Sequence, residues 1–228
     1  WEKLRLMDPA TGEIPKDIRR KEMMFAQTLP KVNPLINAKM NSNWVHRGPY
    51  NVGGRTRALA MDILDENILF AGGASGGMFR SIDGGQSWVK TTNPNQLHNV
   101  TCISQDLRLG KENIWYFGSG ELTGSSASGG EAYYQGNGIY KSIDGGLSWD
   151  SLSFTATNTN GFDSDFDFIW NIKTDSSNDS LDVIYAATYG SIYRSEDGGV
   201  NWIKELGGSS YYTNVEVTSQ GVVYATLS

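Results

Sequence analysis

From Trp44 onward, apolar and polar residues alternate with a period of two, the signature of strands that bury one face. The runs are short, are separated by glycine-rich turns, and recur in one order. Strands are expected near Arg57 to Asp62, Ile68 to Ala71, Met78 to Ser81 and from Trp88. A second set follows at Val100 to Gln105, Ile114 to Phe117, Ile139 to Ser142 and from Trp149. A third lies at Ile169 to Lys173, Val183 to Ala187, Ile192 to Ser195 and from Trp202, and Asn214 to Val217 with Val222 to Leu227 opens a fourth. Only the amino-terminal stretch has a different period. Pro15 suits the first turn of a helix, and Lys16 to Thr28 sets Ile18, Met24 and Phe25 among charged residues, which predicts a short amphipathic helix, packed on the strands as a clasp or, alternatively, serving as a partner-binding arm. Pro30 and Pro34 end it and extend the chain toward Asn43.

Between the third and fourth strands of each set lies one eight-residue pattern. It reads Ser81-Ile82-Asp83-Gly84-Gly85-Gln86-Ser87-Trp88, Ser142-Ile143-Asp144-Gly145-Gly146-Leu147-Ser148-Trp149 and Ser195-Glu196-Asp197-Gly198-Gly199-Val200-Asn201-Trp202, at steps of 61 and 53 residues. Each copy makes sense as a hairpin turn. The Asp accepts bonds from N–H groups of its own turn, the glycines take positive φ, and the Trp starts the returning strand with a ring to bury between sheets. The step is the length of one four-stranded propeller blade with its loops, so the fold class expected is all-β, a β-propeller. Blades are placed at 44–92, 93–154 and 155–206, with part of a fourth at 207–228, after an extension at 1–43. About 3.5 blades leave apolar faces open, so a ring of six to eight blades, on the order of 350 to 450 residues, is expected.

These turns resemble the Asp-box, or BNR, repeat Ser-x-Asp-x-Gly-x-x-Trp, over roughly residues 44 to 228. The resemblance implies a structural role for Ser81, Asp83, Gly85, Trp88, Ser142, Asp144, Gly146, Trp149, Ser195, Asp197, Gly199 and Trp202. In sialidases, xyloglucanases and sortilin-type domains the box fastens the blade rim away from the catalytic face, and it implies a fold without a reaction.

Composition narrows the partners. The net charge is −6 and the pI is near 4.9, which argues against nucleic acid and anionic membranes. The single Cys102 permits no intrachain disulfide and reads as a buried thiol, and no run reaches the length of a transmembrane helix. The chain begins at Trp1 without a signal peptide, so processing or trimming of the amino terminus is expected.

Candidate ligand residues lie on the loops that open opposite the boxes. The long loop from Gly118 to Gly138 holds Glu121, Glu131, Tyr133 and Tyr134, a candidate binding lip. Arg55 and Arg57 share one side of an inner strand by the period of two, where they face either an anion at the channel mouth or carboxylates of the neighbouring blade. Asp163, Asp165 and Asp167 alternate as calcium ligands do, yet lack the glycine and distal glutamate of an EF-hand, so an acidic solvated turn is the plainer reading and no cofactor beyond a weak Ca2+ candidate is called. His46 and His98 receive no role.

A Tyr with a Glu resembles the sialidase nucleophile pair, but neither an arginine triad nor an Arg-Ile-Pro segment can be assigned here. Trp44 to Trp88 also resembles the opening blade of xyloglucanase-type glycosidases. Laying Phe70-Ala71-Gly72-Gly73-Ala74-Ser75-Gly76-Gly77 on that pattern puts Ala74 where the family has a catalytic Asp. Since such hydrolases need two carboxyl groups flanking the bond, the match implies the fold and argues against the chemistry. Gly48-Pro49, Gly53-Gly54-Arg55 and Gly118-Ser119-Gly120-Glu121 look like large surface BNR propellers exported by type IX secretion. The resulting expectation is an exported or cell-surface propeller that scaffolds recognition of a glycan or protein, in a secretion or surface complex. The alternative is a glycoside hydrolase or sialidase-like enzyme with catalytic carboxylates beyond Ser228. A sortilin-like receptor ranks third, because nothing here resembles its disulfide-rich companion module.

Overall fold

The computed structural model describes residues 7–8, 10–28, 55–96, 99–122, 133–159, 161–208 and 211–228. The segment expected to extend from Pro30 to Asn43, the pair Gly53-Gly54, His46, His98 and Glu131 lie outside these residues.

Three four-stranded antiparallel meanders and one two-stranded sheet follow in chain order. Blade one is β1 (Thr56–Met61), β2 (Leu69–Gly73), β3 (Gly77–Ser81) and β4 (Val89–Lys90). Blade two is β5 (Val100–Gln105), β6 (Trp115–Ser119), β7 (Ile139–Ser142) and β8 (Asp150–Ser151). Blade three is β9 (Ile169–Thr174), β10 (Ile184–Thr188), β11 (Ser191–Ser195) and β12 (Ile203–Gly207), followed by β13 (Thr213–Val217) paired with β14 (Val223–Leu227). The inner strands β1, β5, β9 and β13 pack on one another in that order, the arrangement of a β-propeller arc.

Three apolar clusters form the core, one at each junction between successive sheets. Their spacing follows from a pattern in the sequence. The fourth residue of each second strand is small, being Gly72, Gly118 and Ala187. A Cβ at Gly72 would stand 2.5 Å from the Val100 side chain, and one at Gly118 would stand 2.6 Å from Ile169. The missing methyl lets the first residue of the next inner strand press directly onto the sheet, which is how close packing between blades is reached.

The inner strands share a second device. In β1, β5 and β9 the register against the second strand slips by one residue near the start, leaving Arg57, Thr101 and Trp170 as the extra residue of a bulge. A bulge re-aims its side chain, and here each one reaches the following blade. Arg57 meets Glu121, Thr101 donates to the Ile169 carbonyl at 2.6 Å, and the Trp170 indole donates to the Tyr211 carbonyl at 3.0 Å.

The box turns are hydrogen-bonded almost identically. In the first, Gly85 N–H donates to Ser81 Oγ (2.9 Å), Ser81 Oγ donates to Asp83 Oδ1 (2.7 Å), and Ser87 donates to Asp83 through both its N–H (2.9 Å) and its hydroxyl (2.6 Å). The second and third repeat this around Ser142, Asp144 and Ser148 and around Ser195, Asp197 and Asn201. Both glycines of every box have positive φ. The tryptophans differ: Trp149 and Trp202 are buried against the preceding blade, whereas Trp88 of blade one is 39% exposed. The expected burial thus holds for two of the three rings. Trp149 also departs in its N–H, which crosses to Thr91 Oγ1 of blade one at 2.9 Å, while Trp88 and Trp202 donate to carbonyls of their own turns.

These donors fix the turn carboxyls in their charged form. Ser87 and Ser81 hold the Asp83 carboxyl at about 2, and Asp197 reaches about 2 because Asn201, Ser195 and Val200 outweigh the upward push of burial. A carboxyl near 3.9 in the unfolded chain but near 2 when folded stabilises the fold above roughly pH 4, and that contribution disappears as pH falls toward 2. Acid unfolding should therefore steepen between about pH 4 and 2, and Asp197→Asn should flatten part of that slope; an unchanged slope in the variant would contradict this assignment.

The helix α1 (Ile18–Thr28) starts two residues later than its sequence pattern predicts, after Asp17, whose φ of 55° belongs to a turn. Its clasp role is not realised among the described residues. Met24 and Phe25 are both more than half exposed.

Candidate functional site

The meander places the box turns and the β1–β2, β5–β6 and β9–β10 loops at one end of the arc. The blade-to-blade connections and the second-to-third-strand turns open at the other. At the box end the boxes are tied to the adjacent loops, with Gly84, Gly145 and Gly198 N–H groups donating to the carbonyls of Asn67, Asn113 and Asp182. Arg108 extends that tie from blade two to blade three. It grips Asp106 through Nε (2.9 Å) and Nη2 (2.5 Å), reaches Asp182 Oδ1 (2.7 Å), and donates through Nη1 to the carbonyls of Asn178 (3.1 Å) and Leu181 (2.8 Å). Asp106 and Arg108 are both buried, so their ion pair ties blades two and three together at this end.

At the open end, Arg55, Arg57 and Glu121 come together. Arg55 forks onto the Glu121 carboxylate, Nη1 lying 2.6 Å from Oε1 and Nη2 reaching Oε2, and Arg57 Nε adds a contact to Oε1 at 3.2 Å. The Glu121 side chain is fully buried, whereas the arginines remain about one third exposed. The alternative in which these arginines pair with a neighbouring-blade carboxylate is thus the arrangement seen. Two positive charges against one negative leave the cluster net cationic. Tyr134 meets Glu121 through the backbone alone, each N–H donating to the other's carbonyl at 2.7 and 2.8 Å. A carboxylate fully buried beneath two guanidiniums presents no surface to a ligand at this end.

Tyr133 belongs to a different group. Its ring lies 6.0 Å from Phe168, which lies 5.6 Å from Phe162; Phe162 lies 4.6 Å from Tyr189, and Tyr189 lies 5.4 Å from Tyr211. Trp170 and Tyr212 flank this band with ring centres 5.0 Å apart. Tyr133, Phe162, Tyr211 and Tyr212 are exposed. The sequence places the loops of Phe162 and Tyr189 at this end without singling out either residue. Their signal is positional: aromatic residues sit in consecutive connections, next to glycines, where no strand pattern calls for them.

The three alternating aspartates point to separate partners. Asp163 accepts from the Thr157 and Thr159 hydroxyls, Asp167 accepts from the N–H groups of Asp163 and Ser164, and Asp165 accepts from Ser191, Tyr193 and Lys204. Burial pushes the Asp167 carboxyl above the ordinary value. Among the described residues no group of three potential ligands is placed to hold a metal ion. Ala74, where a glycosidase would present its acid, is buried with its N–H on the Arg55 carbonyl at 2.9 Å. Cys102 is buried, and its thiol is pushed up to about 11 by that burial. None of the helices among the described residues is long and apolar enough to cross a membrane.

This geometry defines the class: the chain is an arc of a β-propeller. Comparison with solved structures agrees. The chain is similar to an ancestral GH74 enzyme (TM-score 0.57, 24% identity, 76% of this chain and 22% of that one). It is also similar to YCF48 from Cyanidioschyzon merolae (TM-score 0.50, 14% identity, 79% and 52%) and to an auxiliary nutrient binding protein from Bacteroides thetaiotaomicron (TM-score 0.50, 13% identity, 76% and 36%). The chain spans about a fifth to a half of the length of these proteins. No protein-family model and no curated protein matches the sequence.

Proposed function

We propose that this chain is part of an exported or cell-surface propeller of the Asp-box type that recognises a glycan or protein at the end opposite its boxes and acts as a non-catalytic scaffold. The observation that carries this reading is the division of side chains at that end. Its candidate acid, Glu121, is buried and already paired with Arg55 and Arg57, while the aromatic rings of Tyr133, Phe162, Tyr211 and Tyr212 face solvent. Exposed aromatic rings supply contact area and orientation to a ligand, and a fully buried carboxylate presents it no oxygen. The fold alone does not choose a function, since its structural neighbours include one named as an enzyme and one named as a nutrient binding protein. Assembly into a type IX secretion or surface complex extends the same proposal and draws on the sequence resemblance. The hydrolase alternative is weakened by Ala74 at the position of the expected acid. Incubating the purified protein with arrayed glycans and arrayed peptides tests the reading. Retention on one class is expected, and retention on neither overturns it.

A further inference from the structure

Where blade three meets the two-stranded sheet, a recess of about 650 Å3 opens beside the aromatic band, within the size range of ligand clefts. Its polar side is built on Asp165. Three donors converge on Oδ2, from Lys204 Nζ (2.8 Å), Ser191 Oγ (2.9 Å) and the Tyr193 hydroxyl (2.9 Å), and none of them uses Oδ1. Lys204 reaches this position because β12 carries a bulge at Glu205: Ile192 pairs with Leu206 and Tyr193 with Lys204, so one residue is extra and the lysine is turned across the sheet. Lys204 is the cation that pairs with Asp165 among the described residues. Burial raises the Asp165 carboxyl, but Lys204, Tyr193 and Ser191 bring it below the ordinary value, and Asp165 raises Lys204 in return, so the pair is ionised at neutral pH. Tyr189 and the exposed Tyr211, whose rings meet at 51°, form its aromatic wall, and Glu205, which pairs with Arg194 at 3.6 Å, lines it as well.

We propose that this recess is a subsite for a neutral pyranose unit of an oligosaccharide, a step that rests on the binding reading above. A pyranose has a face of C–H groups that packs on a tyrosine ring and a rim of hydroxyls that both donate and accept. Asp165 Oδ1, which accepts no bond among the described residues, matches a hydroxyl donor, and the Lys204 ammonium matches a hydroxyl acceptor. An ionic ligand gains little, because the charges of the floor are already paired within the protein. A peptide anchor gains little as well, since Leu206 is the single aliphatic residue lining the recess among the described residues. Beyond the recess, Phe162 and Tyr133 continue the ring surface along the same end, which suits a chain of several sugar units.

The test is calorimetric titration of the whole protein with cellohexaose, xylohexaose and mannohexaose, repeated with Tyr211→Ala and Phe162→Ala. Both side chains are exposed, so the variants should keep the parent melting temperature. At least one hexaose should bind the parent, and Tyr211→Ala should weaken it tenfold or more, with a smaller loss for Phe162→Ala. Binding that Tyr211→Ala leaves unchanged overturns this site while the scaffold reading stands. So does Tyr211-dependent binding of a peptide in the absence of any hexaose binding, which would reassign the recess. If neither arrayed glycans nor arrayed peptides are retained, both the subsite and the scaffold reading fail.

Discussion

Gly146→Ala should destabilise the protein by on the order of 2 to 5 kcal/mol, while the same change at the equivalent Gly85 should cost about 1 kcal/mol. Both glycines are the second of their box pair and both have positive φ, at 76° and 88°, so the backbone penalty is shared. What differs is the neighbour. A Cβ at Gly146 would stand 2.2 Å from the Phe70 ring of blade one, a fully buried side chain that also packs on Trp115 and Trp149. A Cβ at Gly85 would meet Leu69 at 3.4 Å, which is ordinary contact. Gly199 resembles Gly146, with the Leu152 side chain of blade two at 2.4 Å. The second glycine of a box therefore has two functions, a turn conformation and a flat surface onto which the preceding blade packs. Chemical denaturation of the two variants checks this, and equal losses would show that the turn conformation alone matters.

Arg108→Ala should be comparably severe, at about 3 to 5 kcal/mol, because it leaves the buried Asp106 carboxylate without its counter-charge and two carbonyls of blade three without their donor. Lys111 offers the internal control. It contacts the same Asp182 but is itself more than a third exposed, so Lys111→Ala should change stability by less than about 1 kcal/mol. The comparison separates charge at Asp182 from the buried fork of Arg108. Similar small losses in both variants would mean that the fastener between blades two and three lies elsewhere.

Most of the strand order was legible from the sequence because two local signals agree. The period of two marks each half-buried strand, and the Ser-x-Asp-Gly-Gly turns mark where the third strand hands over to the fourth. β5 and β7 begin and end where their patterns do, and the other strands shift by only a few residues. The bulges at Arg57, Thr101 and Trp170 were not legible, since one extra residue in a strand of six leaves almost no trace in an alternation. Arg55 and Arg57 reach one carboxylate because of such a bulge, so the period of two names the right pair for an incomplete reason. The Asp165 recess escaped for a different cause. Its walls come from three connections and one bulged strand: pairing within blade three brings Tyr189 and Lys204 to Asp165, and the connection to the next sheet adds Tyr211. The amphipathic stripe of α1 was read correctly as a helix but not as a clasp, because an apolar stripe specifies no partner.

If the open end recognises its ligand without chemistry, product analysis should find no cleavage. The purified protein is incubated with xyloglucan and mixed β-glucan oligosaccharides of known length, and the mixture is followed by mass spectrometry. With Ala74 buried at the expected acid position and Glu121 held by Arg55 and Arg57, every oligosaccharide should keep its starting mass. Shortened products whose formation is abolished by substituting a carboxylate at the open end would contradict a non-catalytic role.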